Sequence, residues 1–190
     1  MTSISIIGTG NMGGAIADVA AKGGAEVQLV AHASSQQLTG DIVVLAVPYP
    51  AVDDVLANYG DQLAGKTVVD ITNPLAFSTF DGLVVPADSS AAAIIAAKLP
   101  TANVVKAFNT NFAATLASGL VGDRPTTVLV AGDDQASKDA LLAVVRAAGL
   151  GGVDAGSLKR ARELESLGFL QLTLAVGEKV GWNAGFALVK

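Results

Sequence analysis

Short apolar runs alternate along the chain with segments whose apolar residues recur at helical spacing. The runs predict β-strands at residues 3–7, 26–30, 42–47, 67–71, 104–108 and 126–131. The segments between them predict helices at residues 15–22, 52–59, 90–98, 112–118 and 135–148. The strands are continuously apolar, which is typical of strands that helices cover on both faces. The pattern therefore predicts an α/β fold with a doubly wound, mostly parallel sheet.

One connection departs from this alternation. Only residues 31–41 separate the second predicted strand from the third. A parallel crossover that contains a helix usually needs about a dozen residues or more. We therefore expect a loop here, or a single helical turn that begins near Ser34.

A small helical element is predicted after the main domain, with residues 1–153 forming the domain and residues 154–190 the element. Its helix is expected from about residue 158 to residue 180, with Ser157 as the candidate N-cap. Charged residues come first, and their i,i+3 spacing suits pairs between positions 160 and 163 and between Arg162 and Glu165. An apolar stripe follows, which is expected to pack in the core or against a partner subunit. It comprises Leu164, Leu167, Leu170, Gln171 and Leu174.

The first predicted strand runs directly into Gly8-Thr9-Gly10-Asn11-Met12-Gly13, a G-x-G-x-x-G pattern that opens a predicted helix. The first glycine allows a tight turn, the second lets a pyrophosphate approach the backbone, and the third lets the helix pack close to the strand. The helix start adds free N–H groups and the positive end of the helix dipole. Between a strand and a helix, the motif favours a dinucleotide site over a plain structural turn.

Composition narrows the function classes. Apolar residues make up 51% of the 190 residues, which is enough for a buried core, and the net charge of −5 argues against a nucleic-acid partner. The absence of cysteine excludes disulfides, thiolate catalysis and zinc–sulfur sites, and we predict no metal site. No apolar stretch is long enough to span a bilayer and no signal peptide is recognisable, so a cytoplasmic protein without a membrane partner is expected.

Small polar residues follow several predicted strands. Because ligands bind beyond the carboxyl ends of the strands in open α/β sheets, Asn73 and Asn109 are expected to contact a ligand. Tyr49, between two prolines, could stack on a cofactor or cap the turn. Asp70 lies inside a strand and is expected to serve backbone hydrogen bonding, whereas Lys106 could be structural or reach the pocket.

The tip of the second strand bears on the choice between NAD and NADP. An NAD site typically places Asp or Glu there, and this chain has Ala31 and His32. The missing carboxylate favours NADP, whose additional phosphate could contact His32, Ser34 and Ser35. No arginine lies in this stretch to hold the phosphate in bidentate fashion, so a weak grip is expected. In the alternative interpretation, His32 is a solvated loop residue.

Several segments together resemble the deazaflavin (coenzyme F420)-dependent NADP oxidoreductases. They are Gly8–Gly13, Ala46-Val47-Pro48, and residues 70–75, 106–110 and 154–165. The resemblance implies a Rossmann domain, a helical C-terminal part that completes the pocket, and a homodimer. It also implies direct hydride transfer between stacked rings without an obligatory acid or base, so no catalytic residue is predicted. The chain departs from the family at residues 31–41. Members of the family usually hold the NADP phosphate there with a serine and an arginine, followed by a full helix, whereas this region is shortened in this chain.

We therefore predict an NADP-dependent oxidoreductase that moves a hydride between nicotinamide and a deazaflavin or flavin-like acceptor. Two alternatives stay open: an NADPH-dependent reductase of a small imine or ketone, with Lys106, Tyr49 or a serine as proton donor, and an NADP(H)-binding sensor without turnover. The predicted cofactor-binding residues are Gly8, Thr9, Gly10, Asn11, Met12, Ala31, His32, Ser34, Ser35, Ala46, Val47, Pro48, Tyr49, Asn73, Pro74 and Asn109.

Overall fold

A computed structural model describes residues 1–189, and a seven-stranded sheet forms its centre. The strands in chain order are β1 (Ser3–Ile7), β2 (Glu26–Val30), β3 (Ile42–Leu45), β4 (Thr67–Asp70), β5 (Asn103–Lys106), β6 (Leu120–Val121), β7 (Arg124–Pro125), β8 (Thr127–Gly132) and β9 (Gly151–Gly156). The order across the sheet is β2-β1-β3-β4-β5-β8-β9, and β6 and β7 form a separate hairpin. All neighbours in the sheet are parallel except β5 and β8. The predicted fold class is confirmed.

Helices cover both faces of the sheet. They are α1 (Asn11–Lys22), α2 (Val52–Tyr59), α3 (Ala91–Lys98), α4 (Ala113–Ser118), α5 (Gln135–Ala147) and α6 (Ala161–Val176). Val44 packs in the core cluster under α1, α4 and α5, while the adjacent Val43 packs in the cluster under α2 and α3. Successive strand residues therefore enter opposite cores, which explains why the strands are continuously apolar.

Residues 31–41 form a loop without a helix, as the sequence predicts. Gln28 of β2 holds this loop, because its Nε2 donates to the carbonyl of Gln37 at 2.9 Å and its Oε1 accepts from the Thr39 N–H at 3.0 Å. The alternative of a helical turn near Ser34 is wrong. The chain makes only a tight turn there, in which the Ser34 N–H bonds to the Ala31 carbonyl at 2.9 Å.

The C-terminal part begins differently from the prediction. Strand β9 pairs with β8 through Gly156, so the predicted boundary after residue 153 falls inside a strand. A short 3-10 turn over Leu158–Arg160 precedes α6, and Ser157 occupies the N-cap position of this turn, but its side chain makes no cap bond. Helix α6 ends at Val176 instead of residue 180. Lys190, the last residue of the predicted element, lies outside the described residues.

The two faces of α6 differ from the predicted stripe. Leu164 and Gln171 are buried, whereas Leu170 is 50% exposed and Leu167 and Leu174 are partly exposed. Arg160 pairs with Glu163 at 3.6 Å as expected. Within residues 1–189, no helix combines the length and the apolar character that crossing a bilayer would need.

The expected pair between Arg162 and Glu165 is wrong. Glu165 is buried, and Arg162 pairs with Glu163 at 3.1 Å. The reason is tertiary, because the carboxylate of Glu165 turns into the protein toward a buried lysine, as described below.

Candidate functional site

The glycine turn between β1 and α1 has the geometry that the motif predicts. Gly8 has a φ of 122°, and a Cβ there would lie 2.1 Å from the carbonyl oxygen of Ala46. A Cβ on Gly13 would lie 2.0 Å from the carbonyl oxygen of Gly8. A Cβ on Gly10 would meet nothing within 4 Å. Packing of the chain therefore requires the first and third glycines, whereas the second borders open space.

No side chain caps the backbone N–H groups at the start of α1. Gly10 caps the helix without a side-chain hydrogen bond, and the first turn carries no acidic residue. Helices α3 and α5 differ, since Ser90 accepts from the Ala93 N–H at 3.0 Å and Asp134 from the Ser137 N–H at 2.7 Å. The N–H groups at the start of α1 can therefore bind an anionic ligand.

A cleft of about 440 Å³ opens beside this turn, at the carboxyl ends of β3 and β4. It brings together the predicted residues Gly10, Asn11, Met12, Ala46, Val47, Pro48, Tyr49 and Asn73, and it adds Ile71, Thr72, Leu75, Phe77, Phe80, Leu172 and Trp182. None of the described residues that line it is charged. Burial raises the pKa of Tyr49, so its hydroxyl stays protonated at neutral pH.

A second cleft of about 410 Å³ adjoins the first on the side of α4. The two clefts share Asn11, Met12, Ile71, Asn73, Leu172 and Trp182, and the second adds Phe108, Asn109, Asn111, Phe112, Ala113 and Ala114. Trp182 packs against Phe112, with ring centroids 5.1 Å apart. The C-terminal segment therefore provides a wall to both clefts.

Asn73 and Asn109 bond to each other between the clefts. Asn73 Nδ2 donates to the carbonyl of Asn109 at 2.9 Å, and Asn109 Nδ2 donates to Asn73 Oδ1 at 2.9 Å. Asn109 Nδ2 also donates to the Leu164 carbonyl of α6 at 2.8 Å. Gly168 of α6 permits this approach, because a Cβ there would lie 2.4 Å from Asn73 Oδ1. The pair thus ties α6 to the sheet edge.

The backbone conformation of Phe108 forms the turn that positions Asn109. It has a φ of 61°, a backbone conformation that few residues other than glycine adopt. Two backbone hydrogen bonds close the turn. The Asn109 N–H donates to the Ala107 carbonyl at 2.8 Å, and the Asn111 N–H donates to the Phe108 carbonyl at 3.0 Å. Such conformations cluster at functional sites, where the surrounding packing holds them in place.

A buried ion cluster lies under the cleft. Lys106 of β5 is 0% exposed, and its Nζ lies 2.8 Å from Asp70 Oδ2 and 2.9 Å from Glu165 Oε1. Glu165 also accepts from the Ala91 N–H at 2.9 Å, at the start of α3. Burial raises the pKa of Glu165, while the charge of Lys106 lowers it less. The sequence leaves open whether Lys106 is structural or reaches the pocket. Lys106 lines neither cleft, so the structural role is the one observed.

The remaining predicted residues lie around the clefts and line neither of them. Gly8 and Thr9 belong to the glycine turn, and Pro74 is buried, with its carbonyl accepting from the Val84 N–H at 2.8 Å. Ala31, His32 and Ser35 are exposed at the end of β2, and Ser34 is partly exposed. The Tyr59 hydroxyl donates to the Ser34 carbonyl and fixes this loop.

Several residues that line the clefts are not predicted by the sequence. Phe77 and Phe80 lie on the connection from β4 to α3, with ring centroids 5.9 Å apart, and Phe77 is 47% exposed. The sequence contains a sign of these two residues, because aromatic residues form only 5% of the chain and two of them lie close together in this connection. Leu172 and Trp182 gave no such signal, since only the tertiary fold brings them to the cleft.

Comparisons with known proteins show similarity to NADP oxidoreductases. A model of the family described as "NADP oxidoreductase coenzyme F420-dependent" matches residues 30–74. An F420-dependent NADP reductase of Methanocaldococcus jannaschii is 29% identical over 144 residues, which cover 74% of this chain and 64% of that protein. The metalloreductase STEAP3 of Rattus norvegicus is 37% identical over 112 residues, which cover 59% of this chain and 22% of that protein. The chain thus spans less than two thirds of either relative.

The similarity to a solved structure extends over the full length of the chain. That structure is a candidate F420-dependent NADP-reductase from Arthrobacter sp. FB24, with a TM-score of 0.86, 26% identity and 100% of both chains covered. The family resemblance predicted from the sequence is confirmed by these matches.

Proposed function

We propose, from the relationship to the coenzyme F420-dependent NADP oxidoreductases, that this chain is an NADP-dependent oxidoreductase. Its reaction would transfer a hydride between nicotinamide and a planar acceptor of the deazaflavin or flavin type. The main support is the turn around Gly10, where bare backbone and an uncapped helix start face open space beside an uncharged cleft.

The residues present fit a dinucleotide. The open space at Gly10 leaves room for a pyrophosphate against the backbone, and the N–H groups at the start of α1 would bind its oxygens. Residues 46–48 and Asn73 would frame the nicotinamide, since they line the cleft next to Gly10. NADPH supplies a hydride when bound.

NADP is favoured over NAD because no carboxylate stands at residues 31–35 to repel the additional phosphate. His32 and Ser35, which are exposed, and the partly exposed Ser34 would contact that phosphate. The prediction of a weak grip is kept, because this loop contains no arginine. A direct comparison of NADPH and NADH affinities tests this part, and equal affinities would contradict it.

The contribution of the protein to the reaction would be positioning and exclusion of water. The apolar side chains of Leu75, Phe77, Phe80 and Trp182 line the cleft. Flat aromatic walls suit a planar ring that stacks on the nicotinamide. With no charged side chain among the described lining residues, rate enhancement would come from holding two rings in reach of each other.

A reductase of small imines or ketones is the second candidate, and Tyr49 is the observation that favours it. This reaction needs a proton donor, and Tyr49 lines the cleft with a hydroxyl that can donate a hydrogen bond. Lys106 is unsuited to this role because it is buried in its ion cluster.

Oxidation of NADPH in the presence of different acceptors tests the proposal. Deazaflavin, riboflavin and FMN are compared with a cyclic imine and a small ketone, and binding of NADPH is followed by calorimetry. We expect turnover with a planar acceptor. Turnover with the imine or ketone that Tyr49→Phe abolishes would favour the second candidate, and tight binding without turnover would favour a sensor.

The assembly and location stay proposals. We propose a homodimer, because α6 and the segment after it expose Leu170, Phe186 and Leu188, at 50%, 47% and 51%. Sedimentation velocity measures the assembly state, and a monomer at micromolar concentration would contradict the proposal. The cytoplasmic location expected from the sequence remains a prediction.

A further inference from the structure

Thr72 has a buried hydroxyl that the protein leaves without a partner. The residue is 3% exposed and lines the cleft beside Gly10, and its Oγ1 makes no hydrogen bond within residues 1–189. Buried polar groups in native proteins are nearly always bonded, so an orphaned hydroxyl in a cleft wall needs an explanation. A ligand that fills the cleft and offers a polar group provides one.

The backbone of Thr72 is held from both sides. Its N–H donates to Asp70 Oδ1 at 2.8 Å, and its carbonyl accepts from Lys106 Nζ. Both partners are 0% exposed and belong to the buried ion cluster. The side chain is thus carried by a backbone that cannot shift without breaking buried charged bonds, which is how a specific contact is kept in place.

The position along the cleft indicates which part of a dinucleotide would meet this hydroxyl. Thr72 lies between Ile71 and Asn73 and shares the cleft with Pro48. The loop at residues 31–35, where the adenosine end is expected, lines no part of this cleft. A hydroxyl can donate to a carbonyl and accept from an amino group, which are the two groups of a carboxamide.

We infer that the Thr72 hydroxyl binds the carboxamide of the nicotinamide ring and selects for that ring, an inference that rests on the proposed function. The residue was not among those predicted from the sequence, and no charged group takes part. The contact positions the ring and does not take part in a chemical step.

Binding calorimetry on Thr72→Val and Thr72→Ser tests the inference with two probes. The probes are NADP⁺ and 2′-phospho-ADP-ribose, which is the same nucleotide without the nicotinamide ring. Valine keeps the shape and loses the hydroxyl, and serine keeps the hydroxyl. We expect Thr72→Val to weaken NADP⁺ binding about tenfold and to leave binding of 2′-phospho-ADP-ribose unchanged. Thr72→Ser should bind both probes like the wild type.

Thermal unfolding without ligand separates this result from damage to the fold. Because the hydroxyl has no partner, Thr72→Val should unfold at the same temperature as the wild type or higher. Unchanged NADP⁺ binding by Thr72→Val, or equal losses for both probes, would overturn the contact. Failure of the wild type to bind either probe would instead overturn the proposed function.

Discussion

Lys106 Nζ and Glu165 Oε1 lie 2.9 Å apart with both side chains buried, which joins β5 to the C-terminal helix α6. The other oxygen of Glu165 accepts from the Ala91 N–H at the start of α3. One carboxylate therefore links a strand and two helices directly under the cleft. It also places acid at a helix start, where the helix dipole favours negative charge.

Removal of this carboxylate should destabilise the protein strongly. In Glu165→Ala the Ala91 and Ala92 N–H groups lose their acceptor and Lys106 keeps only Asp70 among the carboxylates. Breaking a buried ion pair costs about 3–5 kcal/mol, and we expect a loss in that range. Urea unfolding followed by circular dichroism measures it. Glu163→Ala is the matched control, since its contacts with Arg160 and Arg162 are exposed, and a similar loss there would contradict the assignment.

The same carboxyl group predicts a pH dependence. Burial raises the pKa of Glu165 above its ordinary value of 4.5, so at pH values between 4.5 and the raised pKa the folded protein binds a proton that the unfolded chain has released. The stability of the wild type relative to Glu165→Gln should be greatest below pH 4.5 and should decline as the pH rises through the raised pKa. Asp134 and Asp154 have lowered pKa values in both proteins and cancel in this difference.

Unfolding free energies of both proteins between pH 4 and pH 8 provide the measurement. A difference that grows with pH would mean that attraction to Lys106 exceeds the effect of burial. The pKa of Glu165 would then be lowered instead of raised.

The glycine turn separates binding from folding. Gly10→Val places its side chain in open space, so it should abolish NADPH binding while the fold persists with a loss of about 1 kcal/mol for the poorer helix cap. Gly13→Ala should instead destabilise the fold, because its Cβ would lie 2.0 Å from the Gly8 carbonyl oxygen and force α1 away from β1. Calorimetry and thermal unfolding on both variants measure the two effects. Unchanged NADPH affinity in Gly10→Val would refute the placement of the pyrophosphate.

Features that depend on residues close together in the chain could be predicted from the sequence. The roles of Gly8, Gly10 and Gly13 follow from a strand, a turn and a helix that are neighbours in the chain. The loop at residues 31–41 follows from its length alone. Residues 46–49 and Asn73 are predicted from the rule that ligands bind beyond strand ends, and in the structure they line the cleft.

Long-range contacts set the limit of that prediction. The spacing of Arg162 and Glu165 suits a surface pair, but Lys106 and the start of α3 take the carboxylate into the interior. The residues near Glu165 in the sequence do not indicate that its partners are Lys106 and the start of α3. Trp182 likewise reaches the cleft only because the segment after α6 turns back onto Phe112.

Gly168 carries the last prediction, since the sign of its effect depends on how closely α6 packs on the site. Alanine in place of glycine inside a helix normally stabilises it by up to about 1 kcal/mol. At Gly168 a Cβ would lie 2.4 Å from Asn73 Oδ1 and 2.8 Å from the Asn109 carbonyl, so Gly168→Ala should destabilise by about 1–3 kcal/mol. Gly14→Ala in α1 is the control, because a Cβ there meets nothing within 4 Å and should stabilise.

Urea unfolding of both alanine variants tests the difference, and emission from Trp182, the single tryptophan, reports movement of the C-terminal segment. Displacement of α6 by the new methyl group should break the bond from Asn109 to the Leu164 carbonyl and change the environment of Trp182. If Gly168→Ala were as stable as Gly14→Ala, with unchanged emission, α6 would not be packed on the asparagine pair. The walls that it gives to both clefts would then have to be assigned to another segment.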